Sequence, residues 1–127
     1  MYINLVNEFL LNSATKLPEK TALSFGGRRY TYRELYDSSS SLAAFLAGEG
    51  LKRGDRVITY LGNSPETVIS IFGALMAGGV FSVVNETIKA GKFRYIVDNC
   101  APSFIVTDPS KLPRLQNVPH DLSLIHI

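Results

Sequence analysis

Apolar residues recur near helical spacing at the start of the chain, where Leu5, Phe9, Leu10 and Leu17 fall on one side and Pro18 stops the run. The spacing predicts an amphipathic helix over about Leu5 to Thr15, capping a larger body. The next pattern has a different period. Thr21-Ala22-Leu23-Ser24-Phe25 and Arg28-Arg29-Tyr30-Thr31 flank Gly26-Gly27, a two-residue turn that tolerates positive φ and joins antiparallel strands. Thr31 stands three residues before Glu34, the spacing at which a threonine hydroxyl and a glutamate carboxylate each satisfy a free amide at a helix start. A helix should therefore begin at Tyr32, bury Leu35, Leu42, Phe45 and Leu46, and end near Gly50 in the left-handed conformation.

Beyond Lys52-Arg53-Gly54-Asp55, a polar turn, the pattern becomes an alternation of elements. Arg56-Val57-Ile58-Thr59-Tyr60-Leu61 is a β-branched run suited to a buried strand. Ser64-Pro65-Glu66 supplies an N-cap residue, a proline at the first helical position and an acid in the first turn of a helix reaching about Ala77. Gly78-Gly79 breaks it, Val80-Phe81-Ser82-Val83-Val84 follows as a strand, a helix covers about Lys89 to Asn99, and Phe104-Ile105-Val106-Thr107 is a further strand. Strand, helix, strand, helix, strand, with short connections, predicts right-handed parallel crossovers and an α/β class: a β-hairpin followed by parallel strand-helix repeats. After Asp108 the pattern weakens into Pro109, Pro113 and Pro119.

Composition narrows this picture without redirecting it. The 127 residues are 46% hydrophobic and 19% charged, ordinary for one globular domain or part of one. A net charge of +2, with Lys and Arg dispersed among Asp and Glu, gives no sign of nucleic-acid binding. Cys100 is the only cysteine, so no disulfide framework exists, and a reducing cytoplasm is the expected location. The start has no basic segment ahead of an apolar run, and Val68 to Val84 is too short and too interrupted by Ser70, Gly73 and Gly78-Gly79 to span a membrane. That stretch reads as buried helix plus buried strand.

The candidate chemistry is thin. Ser38-Ser39-Ser40-Ser41 lacks the glycines that let amides approach a phosphate and falls inside the predicted helix, as a polar face. Gly48-Glu49-Gly50 starts a G-x-G, but Arg53 stands where the third glycine would be. Cys100 has no adjacent His or basic cluster to activate it, and His120 and His126 lack metal-ligating company, so neither a catalytic residue nor a metal site is assigned. Phe25, Tyr30, Tyr32, Tyr36 and Phe45 are spaced as core residues. Asn63, Ser64 and Asn85 fall at the C-terminal ends of predicted strands, where ligands approach α/β sheets, and are the candidate substrate-proximal residues.

Three stretches resemble the adenylate-forming superfamily of acyl-CoA synthetases, peptide-synthetase adenylation domains and luciferases. Tyr30-Thr31-Tyr32-Arg33-Glu34-Leu35 is similar to its first core motif. Leu51-Lys52-Arg53-Gly54-Asp55-Arg56-Val57 and Asn63-Ser64-Pro65-Glu66 resemble the next strand and helix start, and Gly73-Ala74-Leu75-Met76-Ala77-Gly78-Gly79-Val80-Phe81 through Asn85 resembles the second core motif. Many relatives carry proline at the position of Val83. The match covers about Leu5 to Asp108. It implies the N-terminal portion of the large domain of an AMP-forming acyl-CoA ligase: a carboxylate attacks the α-phosphate of ATP to give acyl-AMP and pyrophosphate, and the CoA thiol then displaces AMP. ATP, Mg²⁺ and CoA would serve the parent enzyme. The phosphate loop, the ribose-binding acid and the mobile domain with its lysine belong to later parts of the family's chains, so the fragment is expected to be inactive alone and to bind none of these. The alternatives are a self-standing binding or scaffold module, half of a split adenylation domain, or an origin in a peptide-synthetase adenylation domain or acyl-AMP ligase. CoA ligase is favoured because the chain begins near the adenylation domain.

The last six residues, Leu122-Ser123-Leu124-Ile125-His126-Ile127, are what CTG TCT CTT ATA CAC ATC encodes, and that string resembles the mosaic end of transposase-based sequencing adapters. The expectation is therefore a truncated domain over residues 1–121 and an adapter-derived tail over 122–127, with a short C-terminal strand as the alternative. A parallel sheet without its later strands should also leave an unpaired edge and an uncovered apolar face.

Overall fold

A computed structural model describes residues 5–115 and 123–126. Helix α1 (Val6–Lys16) opens the chain, with the Glu8 carboxylate accepting from the Leu5 amide at 3.2 Å. Strands β1 (Thr21–Phe25) and β2 (Arg28–Thr31) form the antiparallel hairpin, and both turn glycines have positive φ, 57° and 80°. The reciprocal cap at Thr31 is present: its hydroxyl accepts from the Glu34 amide at 3.1 Å, and its own amide donates to the Glu34 carboxylate at 3.1 Å. The Thr31 amide comes first in holding the Glu34 carboxyl below its ordinary pKa.

Helix α2 (Tyr32–Gly48) buries Leu35, Ser39, Ala43 and Leu46, a stripe at the spacing of one helical face. Phe45 belongs to the other side and is half exposed, as is Phe25 on the hairpin, so neither is a core residue. Ser39, conversely, leaves the polar face that the serine run predicts and is fully buried against α3. Two bonds close the helix: Leu51 N–H to the Leu46 carbonyl at 3.0 Å and Gly50 N–H to the Ala47 carbonyl at 3.1 Å. Gly50, at φ 98°, turns the chain so that Leu51 packs on Leu46.

The body is a four-stranded parallel sheet ordered β4-β3-β5-β6, from β3 (Arg56–Tyr60), β4 (Val80–Val84), β5 (Phe104–Thr107) and β6 (Ser123–His126). Helix α3 (Pro65–Met76) connects β3 to β4, α4 (Ala90–Cys100) connects β4 to β5, and a 3-10 helix (Pro109–Leu115) follows β5. One face is covered by α2 and α3, where Leu46, Leu51 and Ala74 pack on Val57, Phe104 and Val106. The other is covered by α4 and the 3-10 helix, where Phe93, Val97 and Leu115 pack on Ile58, Tyr60, Val84 and Ile105. Central strands covered on both faces need apolar residues throughout, which is why β3 and β5 carry no alternation. Thr59, buried in that run, is satisfied by the Ser70 hydroxyl at 2.7 Å.

Strand β4 ends the described order and differs from its neighbours. Val80, Phe81 and Val83 are 52%, 38% and 48% exposed, so three of its apolar side chains are uncovered, and only Val84, at the end of the strand, is buried. At the other end, Ser123–His126 pairs parallel with Phe104–Thr107 and Ile125 packs on the α2–α3 side of the core. Ser123–His126, within the stretch expected to be adapter-derived, forms the strand at this end of the described sheet.

Candidate functional site

The connections after β3 and β4 leave the sheet in opposite directions, toward α3 on one face and α4 on the other. Adjacent parallel strands whose connections diverge leave a crevice between their C-terminal ends, where α/β proteins bind ligands. Here that crevice is a cleft of about 500 Å³ lined by Leu61, Gly62, Asn63 and Thr67 on the β3 side and by Val83, Val84, Asn85, Glu86 and Thr87 on the β4 side. Its floor is apolar and its rim carries amides, hydroxyls and one carboxylate. A groove of similar size between α1, α2 and the end of α3 has several alanines on its walls and lies away from the strand ends.

Two of the three residues singled out in the sequence, Asn63 and Asn85, line this cleft. The oxygen of Asn85 accepts from the Thr87 amide at 2.9 Å and the Thr87 hydroxyl at 2.8 Å, which fixes the amide group and leaves its NH₂ end for a ligand. Ser64 is placed otherwise. It occupies the N-cap position of α3 but makes no capping bond; its hydroxyl donates to the Gly62 carbonyl at 3.3 Å and lies 3.4 Å from the Thr67 hydroxyl. Thr67 also donates to Gly62, at 2.6 Å, so both hydroxyls stitch the β3 connection rather than cap the helix.

Glu86, Thr67 and Lys111 escaped the sequence reading. Glu86 and Lys111 are 25 positions apart and meet only because β4 and β5 flank β3, bringing the Lys111 ammonium to 3.2 Å from the carboxylate. Lys111 is 8% exposed and also lies 3.7 Å from the Asp108 carboxylate. The Ser110 hydroxyl and amide, then Lys111, hold the Asp108 carboxyl below its ordinary pKa. Nothing in the separation of Glu86 and Lys111 along the chain signals the pair. The bulk at Gly62 is equally a tertiary matter: a Cβ there would stand 2.7 Å from a Glu86 carboxylate oxygen.

The cations beside the cleft are engaged: Lys111 with Glu86 and Asp108, and Arg114 with the Glu86 carbonyl and the Tyr60 hydroxyl. Among the described residues no three His, Cys, Asp or Glu side chains gather as metal ligands, and no helix is long and apolar enough to cross a membrane.

The profile of a family described as AMP-binding enzyme matches residues 10–126. A long-chain-fatty-acid–CoA ligase of Bacillus subtilis is 38% identical over 102 residues, 80% of this chain and 18% of the relative. Syringomycin synthase SyrB1 of Pseudomonas syringae pv. syringae is 34% identical over 113 residues, 89% of this chain and again 18% of the relative. The structure of VinN in complex with 3-methylaspartate superposes with a TM-score of 0.91 at 30% identity, over 98% of this chain and 35% of VinN. The chain spans about a fifth of the length of these curated relatives.

Proposed function

Given that the chain belongs to the AMP-binding enzyme family of the adenylate-forming superfamily, we propose that it is the N-terminal scaffold of a ligase that activates a carboxylic acid with ATP. In that reaction a carboxylate oxygen bonds to the α-phosphorus, the bond from that phosphorus to the bridging oxygen breaks, and pyrophosphate leaves with the electron pair. The contribution of this chain is the cleft at the switch between β3 and β4. Asn63 and Asn85 supply amide donors on its rim for the acid, and Leu61, Val83 and Val84 an apolar floor for the acid's body. The observation that carries this reading is the coincidence of the cleft with the divergence of the two connections. Contacts to ATP, Mg²⁺ and the acceptor thiol come from the rest of the full-length protein, where the resemblance places the phosphate loop, the ribose-binding acid and the lysine.

CoA as acceptor is supported by the name of the Bacillus relative, and the alternative, an amino acid activated for a carrier-protein thiol, by the similarity to a syringomycin synthase and to VinN in complex with 3-methylaspartate. The 38% identity to the CoA ligase favours the first. The test is acid-dependent exchange of radiolabelled pyrophosphate into ATP by the full-length protein, over fatty, aromatic and amino acids, followed by release of AMP on addition of CoA. No exchange with any acid would sink the proposal, and exchange without CoA-stimulated release would move it to the carrier-protein reading. The 127-residue chain alone should give no exchange.

A further inference from the structure

A buried ammonium is costly to hold unless its donors and charge are matched. Lys111 meets that requirement with Glu86 at 3.2 Å, the Ser110 hydroxyl at 3.4 Å and Asp108 at 3.7 Å. One residue of that triad, Glu86, is part of the cleft wall, and its carboxylate occupies the space that a side chain at Gly62 on the opposite connection would enter. The same stretch is pinned at two further points by residues bonded to each other. Arg114 donates to the Glu86 carbonyl, the Tyr60 hydroxyl donates to the Ile88 carbonyl at 3.3 Å, and Arg114 in turn donates to Tyr60 at 3.2 Å. Tyr60 is fixed from below by stacking on Phe93, with ring centroids 4.4 Å apart. The 3-10 helix after β5 therefore acts as a clamp on the segment that forms the β4 side of the cleft.

We infer that Lys111 is a positioning residue for acid binding: it latches Glu86 and the Asn85–Thr87 wall to the 3-10 helix, and neutralises the one carboxylate on the rim of a cleft that must admit another. The second part rests on the proposal that the acid enters this cleft. Without the ammonium, Glu86, whose side chain is 45% exposed, would carry an uncompensated negative charge against the incoming substrate. Asp108 faces the other side of Lys111, and Arg114 reaches the Glu86 backbone rather than its carboxylate, so neither replaces the lost charge.

Two measurements separate the parts. In the 127-residue chain, Lys111→Met should speed hydrogen exchange at the Thr87 and Ile88 amides about tenfold, while Ile58 and Thr59 in β3 stay unchanged. Unchanged exchange at Thr87 and Ile88, or uniform acceleration throughout, would overturn the latch. In the full-length ligase, Lys111→Met should raise KM for the acid about tenfold with kcat within about twofold, and Lys111→Arg should stay near wild type. Adding Glu86→Gln to Lys111→Met should bring KM back, which a merely structural lysine would not show. An unrestored KM in that double variant would overturn the neutralising role. A wild-type ligase without acid-dependent exchange would instead defeat the proposed function, and the exchange measurement at Thr87 and Ile88 would still decide the latch.

Discussion

Gly73, buried in α3 where it crosses α2, should resist even the smallest enlargement, although a helix interior ordinarily prefers alanine there. A Cβ at this position would stand 2.8 Å from Leu42 Cδ2, 2.9 Å from Cγ and 3.0 Å from Cβ. Those distances fall about 0.5 to 0.7 Å short of the ~3.5 Å at which carbon contacts become favourable. The end of the Leu42 side chain can turn away, but its Cβ is carried on the α2 backbone, so the two helices must part. Relief of glycine's helix penalty is worth about 1 kcal/mol, and overpacking costs about 1 to 3 kcal/mol. With a backbone-fixed atom among the clashes the upper part of that range applies, and Gly73→Ala should destabilise by about 1 to 2 kcal/mol. Leu42→Ala removes Cγ and Cδ2 and opens the space, so the double variant should be more stable than the sum of the singles predicts, by about 1 kcal/mol. Pulse proteolysis across a urea series at submicromolar concentration reads both quantities while limiting association of the exposed β4 edge. A Gly73→Ala midpoint at or above wild type, or strictly additive singles, would refute the packing argument.

Ser39→Ala should stabilise the chain by about 1 to 2 kcal/mol, because the buried Ser39 hydroxyl has no hydrogen-bond partner among the described residues and its burial is uncompensated; an unchanged urea midpoint would show that the hydroxyl is satisfied in solution. Thr31→Ala removes the acceptor for the Glu34 amide and should cost about 1 kcal/mol by the same assay. Glu34 and Asp108 both have folded-state pKa values below their ordinary ones, so their contributions are fully present above the ordinary carboxylate range and fade as pH falls through the lowered values. Urea midpoints should accordingly fall on acidification, less steeply in Glu34→Gln and Asp108→Asn; equal slopes would contradict the linkage. Val83→Lys, on the uncovered face of β4, should raise the concentration at which light scattering detects aggregates, whereas no change would place the sticky surface elsewhere.

The elements and their class were legible because they depend on neighbours in sequence. The paired glycines 26 and 27, the threonine and glutamate three apart at 31 and 34, the proline at 65 and the β-branched runs act within a few residues, and the hairpin, α2, α3, β3, β4 and β5 follow from them. That Asn63 and Asn85 line one cleft could be anticipated because strand ends can be counted, and the C-terminal ends of parallel strands share one edge of a sheet. Local rules were weaker where an alternative partner existed. Ser64 sits at a helix start, yet its hydroxyl goes to the Gly62 carbonyl, and Phe45 and Ser39 exchange their expected environments, Ser39 lying on the buried stripe of α2 with Leu35, Ala43 and Leu46.

The order of strands in the sheet was a tertiary decision, and the rest of the site follows from it. Placing β3 between β4 and β5 sends successive connections to opposite faces, opens the cleft, and brings Glu86, Tyr60, Lys111 and Arg114 into one network across 54 positions of chain. Likewise only packing turned the final segment into strand β6, and only the close approach of side chains explains why Gly62 and Gly73 carry none. Sequence alone thus determined which segments become helices and strands and which residues stand at the C-terminal edge of the sheet, since backbone propensity and periodicity are short-ranged. Which charges meet at that edge was left to the fold, because an ion pair depends on distance in space, and spacing along the chain carries no record of it.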